Sequence, residues 1–386
     1  MIYMDYNATT PCDERVVEEM LPYFNNKFAN SASLYRPARE TRKAVEEARK
    51  NISLLVGVLP DEIFFTSGGT EADNWAIMAT ALKFQSKGKH IITSAIEHHA
   101  VLYTCKALEK QGFEVTYIPV DNYGIIDIEQ LKNSIRKDTI LITIMHANNE
   151  IGSIQPISEI SAMAKEKGVI FHTDSVQTIG KIPCNLKELG PDMFSLSAHK
   201  FYGPKGIGAL YIRKGLSIPP FIYGGGQEKG KRSGTTNVAG IVGFGKAAEL
   251  AKQEMSTDII YVKKLRDTLE NKIKESIPEI ILNGHPEKKL HNTINVCIKH
   301  IEGESILLSL DFEGICASSG SACTSGSLEP SHVLLAIGLP HEIAHGSLRL
   351  TLGKYNTMDE VEKVASVLPR VVERLRQISP FWQDKK

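Results

Sequence analysis

The sequence predicts an α/β protein: a large domain built on a mainly parallel sheet with helices on both faces, plus a smaller α+β domain. Three observations carry this. From about residue 63 to residue 213, short runs of β-type residues alternate with helical patterns, and that alternation implies βαβ units. The runs are nearly continuously apolar, as strands covered on both faces must be. After the glycine-rich stretch 224–234 the texture changes to one long helical pattern and then to mixed strands and helices.

The elements follow in order. Strand-like runs occur at IFFTS (63–67), HIITSA (90–95), EVTYIPV (114–120), TILITIMHA (139–147), VIFHTD (169–174), MFSLS (193–197) and IGALYI (207–212). Helical periodicity lies between the early ones, at 70–84, 100–110, 128–135 and 157–167. A long helical pattern runs from Val238 to about Ile277. A bend or break is expected near Ser256-Thr257-Asp258, with Asp258 as N-cap of the second half. LHNTINVCI (290–298) and SLRLTLG (347–353) read as strands, and Pro330 is expected in the first turn of a helix. The expected division is a large domain over 12–257 and a small domain over 1–11 and 258–386. No Pro/Ser-rich linker separates them, so they should pack closely.

Composition narrows the function classes. The 386 residues are 42% hydrophobic and 23% charged, and Lys+Arg and Asp+Glu number 45 each. Such a balance argues against nucleic acid or an anionic membrane as partner. No apolar run approaches the roughly 18–20 residues that span a bilayer. The start, MIYMDYNATTP, has no basic segment or apolar core of a signal peptide. A cytoplasmic protein is the expectation. The six cysteines show no CxxC and no Cys/His metal spacing. Cys105 and Cys297 fall in helical and strand-like stretches and read as small apolar residues. Cys323 has only Ser, Gly, Ala and Thr around it, which cannot build a core. It should sit on an exposed loop, as a reactive thiol must.

In open α/β sheets ligands bind outside the carboxyl ends of the strands. After the first strand, Ser67-Gly-Gly-Thr-Glu71 puts Gly69 and Thr70 at a helix start, which makes either a phosphate cradle or merely a turn. After the second come Glu97-His98-His99, where His98 is a site residue or a helix-start residue. After the fourth, His146-Ala-Asn-Asn-Glu-Ile-Gly152 holds two asparagines and a glycine, which suit a turn or amide contacts to a ligand. Asp174 and Gln177 follow the fifth, and a buried acid there needs a cationic partner unless it caps the next helix. Ser197, His199 and Lys200 close the sixth. A lysine in that place suits a Schiff base with an aldehyde cofactor, usually pyridoxal phosphate, or is a surface lysine before a turn.

Two segments resolve these alternatives together: SAHKFYGPKG (197–206) and SSGSACTSGS (318–327). Together they resemble the cysteine desulfurases of the NifS/IscS type, and the similarity runs from Tyr6-Asn-Ala-Thr-Thr-Pro11 to Ser347-Leu-Arg-Leu350. The resemblance implies the pyridoxal-phosphate-dependent aspartate-aminotransferase fold (fold type I) and a homodimer with shared active sites. It implies that Lys200 bonds the pyridoxal 5'-phosphate aldehyde, that Asp174 pairs with the pyridine nitrogen, that His98 stacks on the ring and moves protons, and that Gln177 contacts the phenolic oxygen. Gly69, Thr70, Ser197 and His199 would hold the phosphate, joined by Thr235 of the other subunit. Asn149 and Arg349 would bind the substrate carboxylate. Cys323, on a loop over about 318–328, would take sulfur from L-cysteine as a persulfide and release L-alanine. The implied acceptor is an iron–sulfur scaffold protein of the IscU/NifU type. No resident metal is implied, with Cys323 at most a transient cluster ligand.

Two departures stand out. The chain ends at Lys386, short of the C-terminal extension that helps dock the scaffold in many members, and Gly68-Gly69 stands where many have Gly-Ala. The competing readings are a selenocysteine lyase, another pyridoxal-phosphate lyase or aminotransferase, and a catalytically retired scaffold. The last should have lost Lys200, Asp174 or Cys323, and this chain keeps all three.

Overall fold

The computed structural model describes residues 1–319 and 330–383. Cys323 and most of its expected loop lie outside the described residues. Twelve strands are present among those described: β1 (Ile2–Tyr3), β2 (Ile63–Thr66), β3 (His90–Ser94), β4 (Glu114–Ile118), β5 (Thr139–Thr143), β6 (Ile170–Asp174), β7 (Met193–Ser197), β8 (Gly208–Ile212), β9 (Ile280–Leu282), β10 (Thr293–Ile298), β11 (Ile315–Cys316) and β12 (Ser347–Thr351).

Seven of them form the main sheet in the order β2-β8-β7-β6-β5-β3-β4. The ladders from β7 to β4 are parallel, and β8 is antiparallel to both its neighbours. All seven predicted runs are strands of this sheet. Every residue of β2, β3, β5, β7 and β8 is buried, which is why those runs lack polar alternation. The edge strand β4 is half exposed and shows it with Glu114 and Thr116. The crossover helices are Gly69–Phe84, His99–Glu109, Ile128–Ser134 and Ile157–Lys167, each within one residue of expectation. Asp127 caps one by accepting from Gln130 N, and left-handed Gly168 (φ 66°) stops another. This winding brings the ends of β2, β3, β5, β6 and β7 to one edge.

The long helix differs from expectation. Val238–Ser276 is one continuous helix of 39 residues, so Asp258 is interior and caps nothing. Ser256, Thr257 and Asp258 each cost only a few tenths of a kcal/mol in a helix, unlike Gly or Pro. Packing outweighs that on both sides of them. Ile241, Phe244, Ala247 and Ala248 join a core with Val45, Ala48 and Ile52 of the helix Arg36–Val56. Val262, Leu265, Leu269 and Ile273 join another with Val361, Val364 and Leu368 of the helix Met358–Ile378.

That second core also holds Met4 and residues of β10 and β12. Here β9, β10 and β12 make an antiparallel sheet, while β1 pairs in parallel with β11. A further core joins Ile96, Met145 and Ile151 from the main-sheet ends to Cys297, Val333 and Leu334. The helix expected around Pro330 begins later: Ser331 is its N-cap, accepting from Val333 N and Leu334 N, and His332–Ala336 form it. Pro330 therefore precedes the cap, because the Ser331 hydroxyl satisfies the first free N–H groups.

Candidate active site

Lys200 ends a short 3-10 turn, Ala198–Lys200, that follows β7 directly. Its Nζ donates to the carbonyls of Asn7 (2.7 Å) and Ala8 (2.8 Å), so the amino-terminal segment lies over the strand ends. Asp174 is the last residue of β6 and is buried. One oxygen accepts from Val176 N (2.9 Å). Among the described residues no group donates to the other. Burial raises its pKa, opposed by the Val176 N–H and the Lys200 charge. A cationic N–H donor at the free oxygen would reverse that rise.

A cavity of about 360 Å³ opens at the start of the helix Gly69–Phe84, and its walls include Gly69, Thr70, Ser197, His199 and Lys205. Gly69 begins the sixteen-residue helix Gly69–Phe84, so unpaired backbone N–H groups border the cavity. A Cβ on Gly69 would come within 2.7 Å of Val176 Cγ2, so an alanine there requires the Val176 side chain to shift. His199 Nδ1 pairs with Thr9 Oγ1 at 3.1 Å, and burial, then the charges of Lys200, Lys205 and Lys181, push its pKa down to about 4. These donors could hold a phosphate. Lys205 was not singled out from the sequence.

His98 caps the helix His99–Glu109, with Nδ1 accepting from Ala100 N at 3.2 Å. Burial, then the Lys200 charge, pushes its pKa down to about 4. It is therefore neutral near pH 7 with its proton on Nε2. Glu97 beneath it is fully buried and accepts from Ser94 Oγ and Met145 N. Burial raises its pKa to about 8.

Arg349 projects from β12 and is buried. It donates to Asp5 Oδ1 (2.8 Å) and to the Asn149 carbonyl (3.1 Å), while its Nε has no partner among the described residues. The Asn149 side-chain amide also has none among the described residues. Gln177 is buried and donates to the Asn7 carbonyl at 3.0 Å. Thr235 is exposed and off the cavity wall within one chain. Cys323 lies outside the described residues. Three further polar residues belong to the site: Asn7, whose carbonyl receives both Lys200 and Gln177; Lys181, buried behind Gln177; and Asp73, buried beside His172 at 3.7 Å with its pKa raised by burial and by Asp174. Asn7 lies in the segment where the resemblance begins, while nothing in the sequence neighbourhoods of Lys181 and Asp73 marks them.

The aminotransferase class-V model matches residues 2–364. The chain belongs to that family. Within class V it groups with the cysteine desulfurases. It is 56% identical over 385 residues to the cysteine desulfurase IscS of Dictyoglomus turgidum, covering 100% of this chain and 98% of the relative. It is 56% identical to that of Methanosarcina thermophila, covering 98% and 94%. Among solved structures, a NifS-like protein superposes with TM-score 0.92 at 41% identity, covering 97% of this chain and 100% of the other. SspA in complex with cysteine superposes with TM-score 0.81 at 38% identity, covering 92% and 100%. These likenesses agree with the fold type expected for the class.

Proposed function

We propose that this chain is a cysteine desulfurase that takes sulfur from L-cysteine, releases L-alanine and carries the sulfur on Cys323. One observation carries the reading: the Lys200 amine, the free oxygen of buried Asp174 and the donor-lined cavity at Gly69–Thr70 meet at one edge of the sheet. That set complements pyridoxal 5'-phosphate, which has an aldehyde, a basic ring nitrogen and a phosphate. When bound, the cofactor supplies an electron sink for negative charge at the substrate Cα.

The chain's own residues then divide the work. Gly69, Thr70, Ser197 and His199 hold the phosphate, and Thr235 of a second subunit completes that site in a homodimer. Asp174 accepts the ring N–H. Lys200 anchors the cofactor and moves the proton at Cα. Neutral His98 presents its Nε2 proton to the ring side of the site. Asn149 and Arg349 orient the substrate carboxylate. The Cys323 thiolate forms an S–S bond to the substrate sulfur as the C–S bond breaks, so that L-cysteine and the thiol become L-alanine and a persulfide.

The reading extends to an iron–sulfur scaffold protein as acceptor and to the cytoplasm as location. No helix among the described residues is long and apolar enough to cross a membrane. We also read 12–257 and 1–11 with 258–386 as two domains, supported by the core that unites Met4 with β10 and β12. The test is Lys200→Ala, assayed for L-alanine from L-cysteine. Loss of at least about a thousandfold is expected of an essential proton-transfer group. Activity within tenfold of the parent would overturn the assignment.

A further inference from the structure

Lys181 lies four residues after Gln177 and is buried. Among the described residues no carboxylate lies within ion-pair distance of it. Its Nζ donates instead to two neutral amides, Gln177 Oε1 at 2.8 Å and Asn7 Oδ1 at 2.9 Å. The groups around it mostly oppose its charge. Lys200 and Arg349 add repulsion to burial, and together they push its pKa well down. His291, whose Nδ1 has no partner among the described residues, and Asp258 line the same small cavity of about 30 Å³ as Lys181 and Lys200. Burying an amine here is costly, and solubility or packing alone would favour an apolar residue.

The hydrogen bonds suggest what it does. An amide side chain can flip by 180°, and only its partners fix which end points where. A lysine amine has at least two N–H donors whether charged or neutral. It therefore holds Gln177 by the oxygen, which leaves the Gln177 NH₂ facing the other way. One of those N–H bonds goes to the Asn7 carbonyl at 3.0 Å, which also receives Lys200 Nζ at 2.7 Å. The second N–H is left for a ligand. Lys181 holds Asn7 by its oxygen too, and the Asn7 amide nitrogen then donates to Thr293 Oγ1 (3.0 Å) and the Asn149 carbonyl (3.2 Å).

We propose that Lys181 is a positioning residue that locks the Gln177 amide with its nitrogen toward the phenolic oxygen of the cofactor, and ties that contact through Asn7 to Lys200. The inference rests on the cofactor reading given above. It is tested on holoprotein without substrate, by following the visible absorption of the bound cofactor against pH. Four proteins are compared: the parent, Lys181→Met, Gln177→Ala and the double variant. Lys181→Met should raise the midpoint by about one pH unit, the size of one hydrogen bond to a charged group. On the Gln177→Ala background the same substitution should shift it by less than half as much.

Equal shifts on both backgrounds would mean that Lys181 acts only through its charge, and would overturn the proposal. So would no shift on the parent background. If Lys181→Met does not hold cofactor, Lys181→Gln carries the same comparison, because its amide offers an acceptor as well as donors and no longer fixes which end of Gln177 it meets. A parent protein without a visible band that responds to pH overturns the cofactor reading itself, and the inference falls with it.

Discussion

Asp174 offers one carboxylate oxygen to the site while Val176 N occupies the other. Replacing it with Asn keeps the shape and removes the charge. A charge-assisted hydrogen bond in such a setting is worth about 1.5–3 kcal/mol. Asp174→Asn should therefore lower kcat roughly 10- to 100-fold, measured as L-alanine release with cofactor saturating. Glu97 makes a prediction about stability instead. Its folded pKa of about 8 lies above its ordinary 4.5, because burial penalises the charge. Between those values the folded protein holds a proton that the unfolded chain has lost. The contribution is intact below pH 4.5 and is lost as pH rises toward 8. Glu97→Gln removes that dependence. Thermal melts of the two proteins should nearly coincide near pH 4.5, and the variant should gain on the parent as pH rises to 8. A constant gap across that range would contradict the account. His98 and Lys200 were legible from strand ends and motif. Lys181 and Asp73 were not, because whether a polar residue in a helical stretch is buried depends on packing that the local sequence does not encode.

The seven strands and four crossover helices were legible because their apolar spacing is local and strong. The long helix shows where local reading stops. Ser256-Thr257-Asp258 looks like a boundary, yet neighbours far away in sequence keep Val238–Ser276 continuous. At Gly245 the long helix meets the backbone of Ala48, and a Cβ there would collide with it. Alanine is better than glycine in an isolated helix by about 1 kcal/mol. Overpacking typically costs about 1–3 kcal/mol, so Gly245→Ala should lower the melting temperature rather than raise it. A rise would show that the two helices separate easily. The pairing of β1 with β11 was not legible either, since two-residue strands carry no period and their partners lie more than 300 residues apart.

The molecule as a whole is tied together by long-range polar contacts. Arg49 and Glu228 form a buried pair at 2.8 Å, and Glu228 also accepts from Phe65 N in the main sheet (2.9 Å). Arg49 in turn donates to the Ile63 carbonyl at 2.7 Å. Glu228→Ala leaves that guanidinium the exposed Glu46, at 3.2 Å, as its only carboxylate contact and should cost about 1–3 kcal/mol in denaturant unfolding. Arg349 plays the matching part on the other side, joining β12 to Asp5 and the Asn149 segment. Asp5 also accepts from Ser318 Oγ at 2.8 Å, where the cysteine segment begins. Lys200 meets Asn7 across 193 positions of chain, so the motifs made the candidate site's position at the strand ends legible while its wiring was not. The central claim is sulfur transfer to Cys323, and intact-protein mass spectrometry with peptide mapping addresses it most directly. After a brief incubation of holoprotein with L-cysteine, added sulfur on Cys323 that a reductant removes is the predicted result, absent in Cys323→Ser. Holoprotein that releases L-alanine while Cys323 stays unmodified would contradict it.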